Sequence, residues 1–388
     1  MFDFTDFLSD TQSIVFTIAM VLSLIFLSLY YGMIHFRIGR WHRKNNSSGQ
    51  PSVASDKLPP VSVVLTARND AAWLKENLVY LLEQDYPNFE VVVVDYLSHD
   101  DTQFVLKLLK DYYPHLKVVP FKEDVNLFQG KKYPLSIGIK SAKNDILLLA
   151  DPDCTPKNMQ WLRGMVKGYA NKGTQIVLGF CGLKRTKTLL GVMQQYDNLS
   201  YSSHYLGSAL MGHPYTGSGR NLSYRRSFFF KQGAFIRHYS VAGGSDDLFV
   251  YQNATGDNTA VCIDSDACLS TEPKKTFGQW HRQRLDRVST RNWHSISSRL
   301  LEDLLPLFNI AFYTMAVMLL INGTLPWMVV AGLVAIKWAW QMVSFAQLCK
   351  RFDGGLAYLA APLLEIYFIL ANTILVLTPL DNNRKFSK

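Results

Sequence analysis

The chain is poor in cysteine and has no CxxC pair: Cys154, Cys181, Cys262, Cys268 and Cys349 make an odd set of five in 388 residues. This excludes a CxxC-based metal or redox motif and a disulfide framework, and free thiols are expected. Internal repeats are lacking, so a solenoid or propeller array is excluded as well. Charge is missing from Ser13 to Ile34, where no Asp, Glu, Lys or Arg interrupts a run rich in Leu, Ile, Val and Phe. About 20 such residues cross a hydrocarbon core, so the run is expected to span a membrane. A cleaved signal peptide would carry its charge before the apolar region and end it with small residues, and neither is present.

Acidic residues (Asp3, Asp6, Asp10) precede the run, and His35, Arg37, Arg40, His42, Arg43 and Lys44 follow it. The positive-inside rule then puts the N-terminus outside and residue 35 onward in the cytoplasm. Three further candidate spans are Leu304–Ile321, Pro326–Ala346 and Leu356–Leu377, with a tight turn at Asn322-Gly323-Thr324 and a cytoplasmic turn marked by Lys350 and Arg351. Counting crossings places the C-terminus outside, whereas Arg384, Lys385 and Lys388 favour the inside, which leaves one segment open as re-entrant or interfacial. Few polar groups lie within the spans, which argues against a transporter. The net charge of +9 is concentrated beside the spans, at 37–44 and 274–299, where anionic headgroups attract it, so no nucleic-acid partner is expected.

The expected division is a transmembrane helix over 1–35, a basic juxtamembrane segment and linker over 36–59, a folded domain over 60–272, interfacial amphipathic helices over 273–303, and C-terminal spans over 304–380. The linker is polar with Gly, Pro and Ser over 45–58. Beyond it, strands are expected at Val61–Thr66, Phe89–Val94, Leu116–Pro120 and Ile146–Ala150. Helices are expected at Ala71–Leu82, from the turn after Asp95 through Lys110, and at Pro134–Ala142. This alternation argues for an α/β domain with a mostly parallel sheet. From Ile176 onward the pattern is less regular.

The most informative stretch is NDILLLADPDCTP, Asn144 to Pro156, in which an apolar strand ends in Asp151 and Asp153. Strand C-termini are where open α/β sheets bind ligands, and two carboxylates suit a hard divalent cation that completes its shell with phosphate oxygens. A solvated turn fixed by Pro152 accounts for the same residues. Polar clusters also close the other strands: Thr66 to Asp70, Asp95, and Gly130-Lys131-Lys132 before a helix. Each alone reads equally as a surface charge or a cap.

Together, VSVVLTARND, PNFEVVVVD, GKKYPLSIGIKSAKNDILLLADPDC, TGSGRNLSYR and SDDLF resemble, in order and spacing, the family 2 glycosyltransferases over about Pro60 to Arg291. One span before the domain and several after it also resemble hyaluronan, chitin-oligosaccharide and cellulose synthases and the ceramide glucosyltransferases. The resemblance implies a GT-A-type nucleotide-diphospho-sugar fold with one N-terminal and about three C-terminal transmembrane helices. It also implies a membrane-embedded inverting enzyme that moves a hexose or N-acetylhexosamine from a nucleotide sugar, UDP-linked, to a lipid, lipid-linked or glycan acceptor. The implied location is a bacterial inner (plasma) membrane with the catalytic domain in the cytoplasm. By the same resemblance Asp153 binds the metal (Mg2+ or Mn2+), and Asp151 lies near ribose and sugar. Lys131, Ala67, Arg68, Asn69 and Asp95 complete the donor site, and Asp247 of the Asp246-Asp247 pair is the base. Gly219, Arg220, Asn221 and Asp246 lie toward the acceptor or donor sugar.

Two departures stand out. The acid pair of the nucleotide site is here Asp95-Tyr96. The QxxRW motif of processive enzymes is degraded, leaving Gln283, Arg284 and Arg287 as the diphosphate-binding candidates, with no Trp after the Arg. Bland alternatives stay open: an acidic helix cap at Ser245 to Asp247, a mobile glycine loop at Thr216 to Arg225, and a basic amphipathic helix over 279–291. A processive polysaccharide synthase that secretes its polymer and an inactive scaffold retaining the fold are the alternative functions. Oligomeric state is not set by the sequence.

Overall fold

Short apolar runs and long ones build two separate compact units. The computed structural model describes residues 4–41, 58–121, 130–239, 241, 243–323 and 325–377. The linker expected over 45–58 (save Leu58), Thr324 of the expected hairpin and the basic tail lie outside them. One unit comprises the described residues within Met1–Arg40, Gln195–Gly207 and Ser295–Pro379, and the other those within Trp41–Gln194 and Ser208–His294.

In chain order, α1 is Phe4–Gly39, followed by β1 Val61–Ala67, α2 Ala71–Leu82, β2 Phe89–Tyr96, α3 Thr102–Tyr112, β3 Leu116–Phe121, α4 Lys132–Ser141 and β4 Ile146–Leu149. Next come β5 Cys154–Pro156, α5 Trp161–Val166, β6 Ile176–Leu178, β7 Cys181–Leu183, α6 Leu189–Leu210, β8 Leu222–Arg225 and α7 Arg226–Lys231. The remainder is α8 Asp247–Asn253, β9 Thr259–Val261, β10 Leu269–Thr271, α9 Phe277–Ser289, α10 Ile296–Asn322, α11 Trp327–Phe352 and α12 Ala357–Leu377.

The larger sheet runs β3-β2-β1-β4-β8-β6-β9. Strands β1 to β4 are mutually parallel, β8 is antiparallel to β4 and β6, and β9 is parallel to β6. Parallel strands covered on both faces read as unbroken apolar runs, which is how β1, β2 and β4 read in sequence. On one face Val61, Val63, Leu65, Val91, Val93 and Leu148 pack with Leu74, Leu78 and Leu81 of α2 and Leu106 of α3. Each fully buried Val, Leu or Ile contributes about 1.5–3 kcal/mol. On the other face α4 comes so close that a Cβ on Gly138 would stand 2.7 Å from Val64 and 3.0 Å from Val94. A second sheet, β5-β10-β7, begins directly after the DPD turn. Helix α9 belongs to this unit, which runs to His294.

Among the described residues, four helices of the other unit are long and apolar enough to cross a membrane: Thr11–Gly39, Asp303–Asn322, Trp327–Phe352 and Ala357–Ile374. Helix α1 packs on α10 and α11, and α11 packs on α12. Ile14, Ile18, Leu22, Ile25 and Leu29 form an exposed stripe along α1, and Leu307, Ile336, Val343, Leu363 and Leu370 are exposed on the others. Such surfaces are stable against lipid, not water.

The interior of this unit is more polar than its sequence promised. Lys337, Gln341 and Ser344 are buried on α11 at helical spacing, with Asn309, His35 and Glu365 buried on three other helices. Lys337 donates to Glu365 and, at 2.9 Å, to the Tyr313 hydroxyl, and Tyr31 donates to the other Glu365 oxygen. The expectation of few polar groups is therefore corrected. Each helix contributes only one to three, and they converge only when the helices pack.

Candidate active site

The strand order reverses direction at β1, with β2 on one side and β4 on the other, and their C-terminal ends form the rim where such sheets bind ligands. Ala67 ends β1 in a buried position. The two loops that follow β1 and β2 are tied together. Asn69 N donates to Ser98 Oγ (3.0 Å), His99 N to Asn69 Oδ1 (2.8 Å) and Ala71 N to Asp100 Oδ2 (3.1 Å). Asn69 and Leu97 hold left-handed backbone at φ 54° and 53°, strain that persists only where the surroundings enforce it. The Arg68 guanidinium lies 5.9 Å from the Tyr96 ring, which stacks on Phe121. Asp95 is 2% exposed within β2, and its Oδ1 has no hydrogen-bond partner among the described residues. It is a strand residue, not a cap.

Asp151 and Asp153 follow β4 in a turn closed by Cys154 N donating to Asp151 O at 3.0 Å. Buried Asn77 of α2 holds the turn through Pro152 O at 3.1 Å. Three cations surround the pair. Lys131 Nζ is 2.7 Å from Asp151 Oδ1, Arg220 lies 3.6 Å from Asp151 and 3.7 Å from Asp153, and Lys274 Nζ is 3.6 Å from Asp153. Arg220, expected on the sugar side, thus stands against the two carboxylates. Lys274 escaped sequence reasoning because it belongs to no motif. Its backbone is clamped by buried Gln194, which donates to Lys274 O and accepts from Lys274 N.

The glycine segment is a positioned loop. Gly219 N donates to Asp246 Oδ2 at 2.6 Å, and a Cβ there would fall 3.0 Å from that oxygen, a tight contact that Asp246 would have to yield to by a few tenths of an ångström. Asp246 therefore spends its carboxylate on the loop and does not cap α8, since no side-chain cap bond forms at that helix start. Burial, with Asp247 adjacent, pushes Asp246 up to about 6. Asn221 points away from the rim. It is 1% exposed, its amide nitrogen donates to Phe180 O and Ala267 O, and its oxygen accepts from Trp161 Nε1. Expected on the acceptor or sugar side, its side chain here clamps three segments inside the protein.

Asp247 begins α8. Its Oδ1 is buried without a hydrogen-bond partner among the described residues, and its Oδ2 lies 3.8 Å from His294 Nε2. Lys132, beside the expected Lys131, is buried instead of solvated, and its ammonium donates to His238 O and Val241 O. Burial pulls it down to about 8 against the opposing pull of Asp247 and Asp246.

On α9 the N-cap is Thr276, whose hydroxyl accepts from Gln279 N at 3.3 Å. Arg284 is buried with its guanidinium 5.3 Å from the Trp280 ring, one helical turn earlier, while Gln283 and Arg287 are half-buried. Lys274, ahead of the helix, reaches Asp153 at 3.6 Å.

With that geometry in place, similarity is informative. Residues 62–233 match the model of the family described as glycosyl transferase family 2. The chain carries a family 2 glycosyltransferase domain. Over 219 residues it is 27% identical to the probable glycosyltransferase YdaM of Bacillus subtilis (strain 168), covering 55% of this chain and 52% of that protein. Over 131 residues it is 25% identical to poly-beta-1,6-N-acetyl-D-glucosamine synthase of Staphylococcus aureus (strain COL), covering 33% and 30%. The matches therefore span about half or less of these relatives' lengths. Among solved structures, mannosyltransferase PcManGT from Pyrobaculum calidifontis, in complex with GDP-Man and Mn2+, is similar in fold: TM-score 0.51, 19% identity, 90% of this chain and 99% of that one. The family 2 domain has the GT-A-like α/β fold expected of it.

Proposed function

We propose that the chain is a membrane-embedded, inverting glycosyltransferase. It takes a hexose or N-acetylhexosamine from a nucleotide sugar, UDP-linked, to a hydroxyl of a lipid, lipid-linked or glycan acceptor. The observation that carries this is the ring of Lys131, Arg220 and Lys274 around Asp151 and Asp153, joined to Asp247 through the Asp246 to Gly219 hydrogen bond. An acceptor oxygen attacks the anomeric carbon, and the bond from that carbon to the phosphate oxygen breaks. The electron pair leaves with the nucleoside diphosphate, and the hydroxyl proton passes to the open Oδ1 of Asp247. One displacement inverts the anomeric centre. Cations placed beforehand stabilise the departing charge without reorganising. Arg220 and Lys274, held by Asp153 only at 3.6 to 3.7 Å, are available to the diphosphate.

A divalent metal fits in a limited way. Among the described residues no three His, Cys, Asp or Glu are grouped to hold one. Asp151 and Asp153 offer oxygens only, and the contacts of Asp153 to Arg220 and Lys274 exceed hydrogen-bond length, so the pair suits Mg2+ or Mn2+ whose other ligands would come from diphosphate and water. Such an ion supplies neutralisation of the leaving group. The Mn2+ in the mannosyltransferase of similar fold is in keeping with this.

The four apolar helices, with basic residues after the first, support an integral protein with its domain in the cytoplasm and an acceptor held at the membrane. Asp153→Asn should abolish metal-dependent binding of nucleoside diphosphate by calorimetry, whereas Asp247→Asn should bind it normally and lose transfer. Unchanged metal-dependent affinity in Asp153→Asn would sink the donor assignment, and full turnover by Asp247→Asn would sink the base. One observation favours processive synthesis as a second reading: Arg284 is packed on a tryptophan after all, Trp280, from the preceding turn. Long polymer from the purified chain and one nucleotide sugar would decide for it.

A further inference from the structure

His294 lies outside every motif that pointed to chemistry, yet its ring stands beside Asp247. Its Nε2 is 3.8 Å from Asp247 Oδ2, with the two side chains 7% and 14% exposed. The ring is held on several sides. It stacks on Tyr251 with centroids 4.5 Å apart and planes at 22°, and it meets Tyr215 edge-on at 6.4 Å and 79°. Its backbone N donates to Arg291 O at 3.1 Å, which closes the short 3-10 turn Arg291–Trp293. Tyr251 follows Asp247 by one helical turn on α8, so a single face of that helix carries both the carboxylate and the platform for the imidazole.

The two oxygens of Asp247 are consequently unequal. Oδ2 faces the imidazole, and Oδ1 is buried with no partner among the described residues. We propose that His294 is a positioning residue for Asp247: it turns the carboxylate so that Oδ1 meets the acceptor hydroxyl. The inference rests on Asp247 being the base. A separation of 3.8 Å is beyond hydrogen-bond length, and contacts of this kind tighten once substrate fills the site. Misplacing a reacting group by about 1 Å costs on the order of a hundredfold in rate, so the orientation of one carboxylate is worth a dedicated side chain.

The test uses the full chain in detergent or lipid, a nucleotide sugar that it turns over, and four variants: His294→Ala, His294→Gln, Asp247→Asn and the double variant Asp247→Asn with His294→Ala. His294→Ala should lower kcat roughly ten- to a hundredfold with the donor KM within about twofold, since donor contacts are intact. His294→Gln, which keeps an N–H for Oδ2, should recover part of the loss. The double variant should be no slower than Asp247→Asn, because the ring acts only through that carboxylate. An unchanged kcat in His294→Ala overturns the proposal. So does a loss that His294→Gln fails to recover and that multiplies with Asp247→Asn, the signature of a packing role. Wild-type turnover by Asp247→Asn overturns the base assignment and this inference with it, whereas a dead Asp247→Asn beside an unaffected His294→Ala overturns the inference alone.

Discussion

Asp246 and Asp247 are neighbours in the chain with opposite surroundings. Asp246 is tied to Gly219, and Asp247 keeps one oxygen open. Burial and the adjacent charge raise Asp246 from 3.8 to about 6, so in that window the folded protein keeps a proton that the unfolded chain has released. The folded state binds more protons there, and stability contributed by this group must fall as pH rises from about 4 to 6. Asp246→Asn should flatten that part of the thermal-midpoint profile, and parallel profiles for variant and wild type would contradict the assignment. Lys132 has the reverse sign. Burial lowers it from 10.5 to about 8, so its charged form is a cost that is relieved as pH rises between those values. Lys132→Met should remove this rise in thermal midpoint, and an unaltered alkaline profile would show that Lys132 is not its source. None of these pairings could be read from sequence spacing, because Gly219 and Asp246 are 27 residues apart.

At the scale of elements, the first half of the sheet was legible and the second was not. β1, β2 and β4 are buried on both faces, so their apolar runs announce them, and the alternating helices between them follow. β5, β6, β7, β9 and β10 have three residues each, too few to show any period. Two of them, β7 and β10, are further tied by Asn221, whose side chain links Phe180 ahead of β7, Ala267 ahead of β10 and Trp161 of α5. Asn221→Ala would take this partner from the buried Ala267 carbonyl and Trp161 N–H, at about 1–3 kcal/mol for each, while Phe180 O keeps its bond from Leu269 N. The thermal midpoint should drop by several degrees, with donor affinity at permissive temperature little changed. A lost donor site in a protein of normal stability would instead restore Asn221 to the sugar side.

For the molecule as a whole, the unit of long apolar helices raises a separate question of energetics. Lys337 and Glu365 are 2% and 5% exposed between apolar helices, and among the described residues they bond to each other and to the tyrosines beside them. Removing one partner strands a buried charge and costs roughly 3–5 kcal/mol, whereas removing both with apolar replacements costs far less. Lys337→Met should therefore lower the midpoint in detergent more than Lys337→Met combined with Glu365→Leu. Equal losses would show that the pair does not act as a unit.

Local patterning was enough to reveal the four long apolar helices, the parallel half of the sheet and the two carboxylates at the end of β4, because each depends on residues close together in the chain. Hydrophobic periodicity is a local property. The surroundings of those carboxylates are not local: Lys274 against Asp153, Arg220 against both acids, Asn221 turned inward, and His294 beside Asp247 each join segments separated by many residues. A DPD turn reads the same in sequence whether it is solvated or ringed by cations. Only packing brings those cations to it, and with them the electrostatic setting in which a leaving diphosphate can be held.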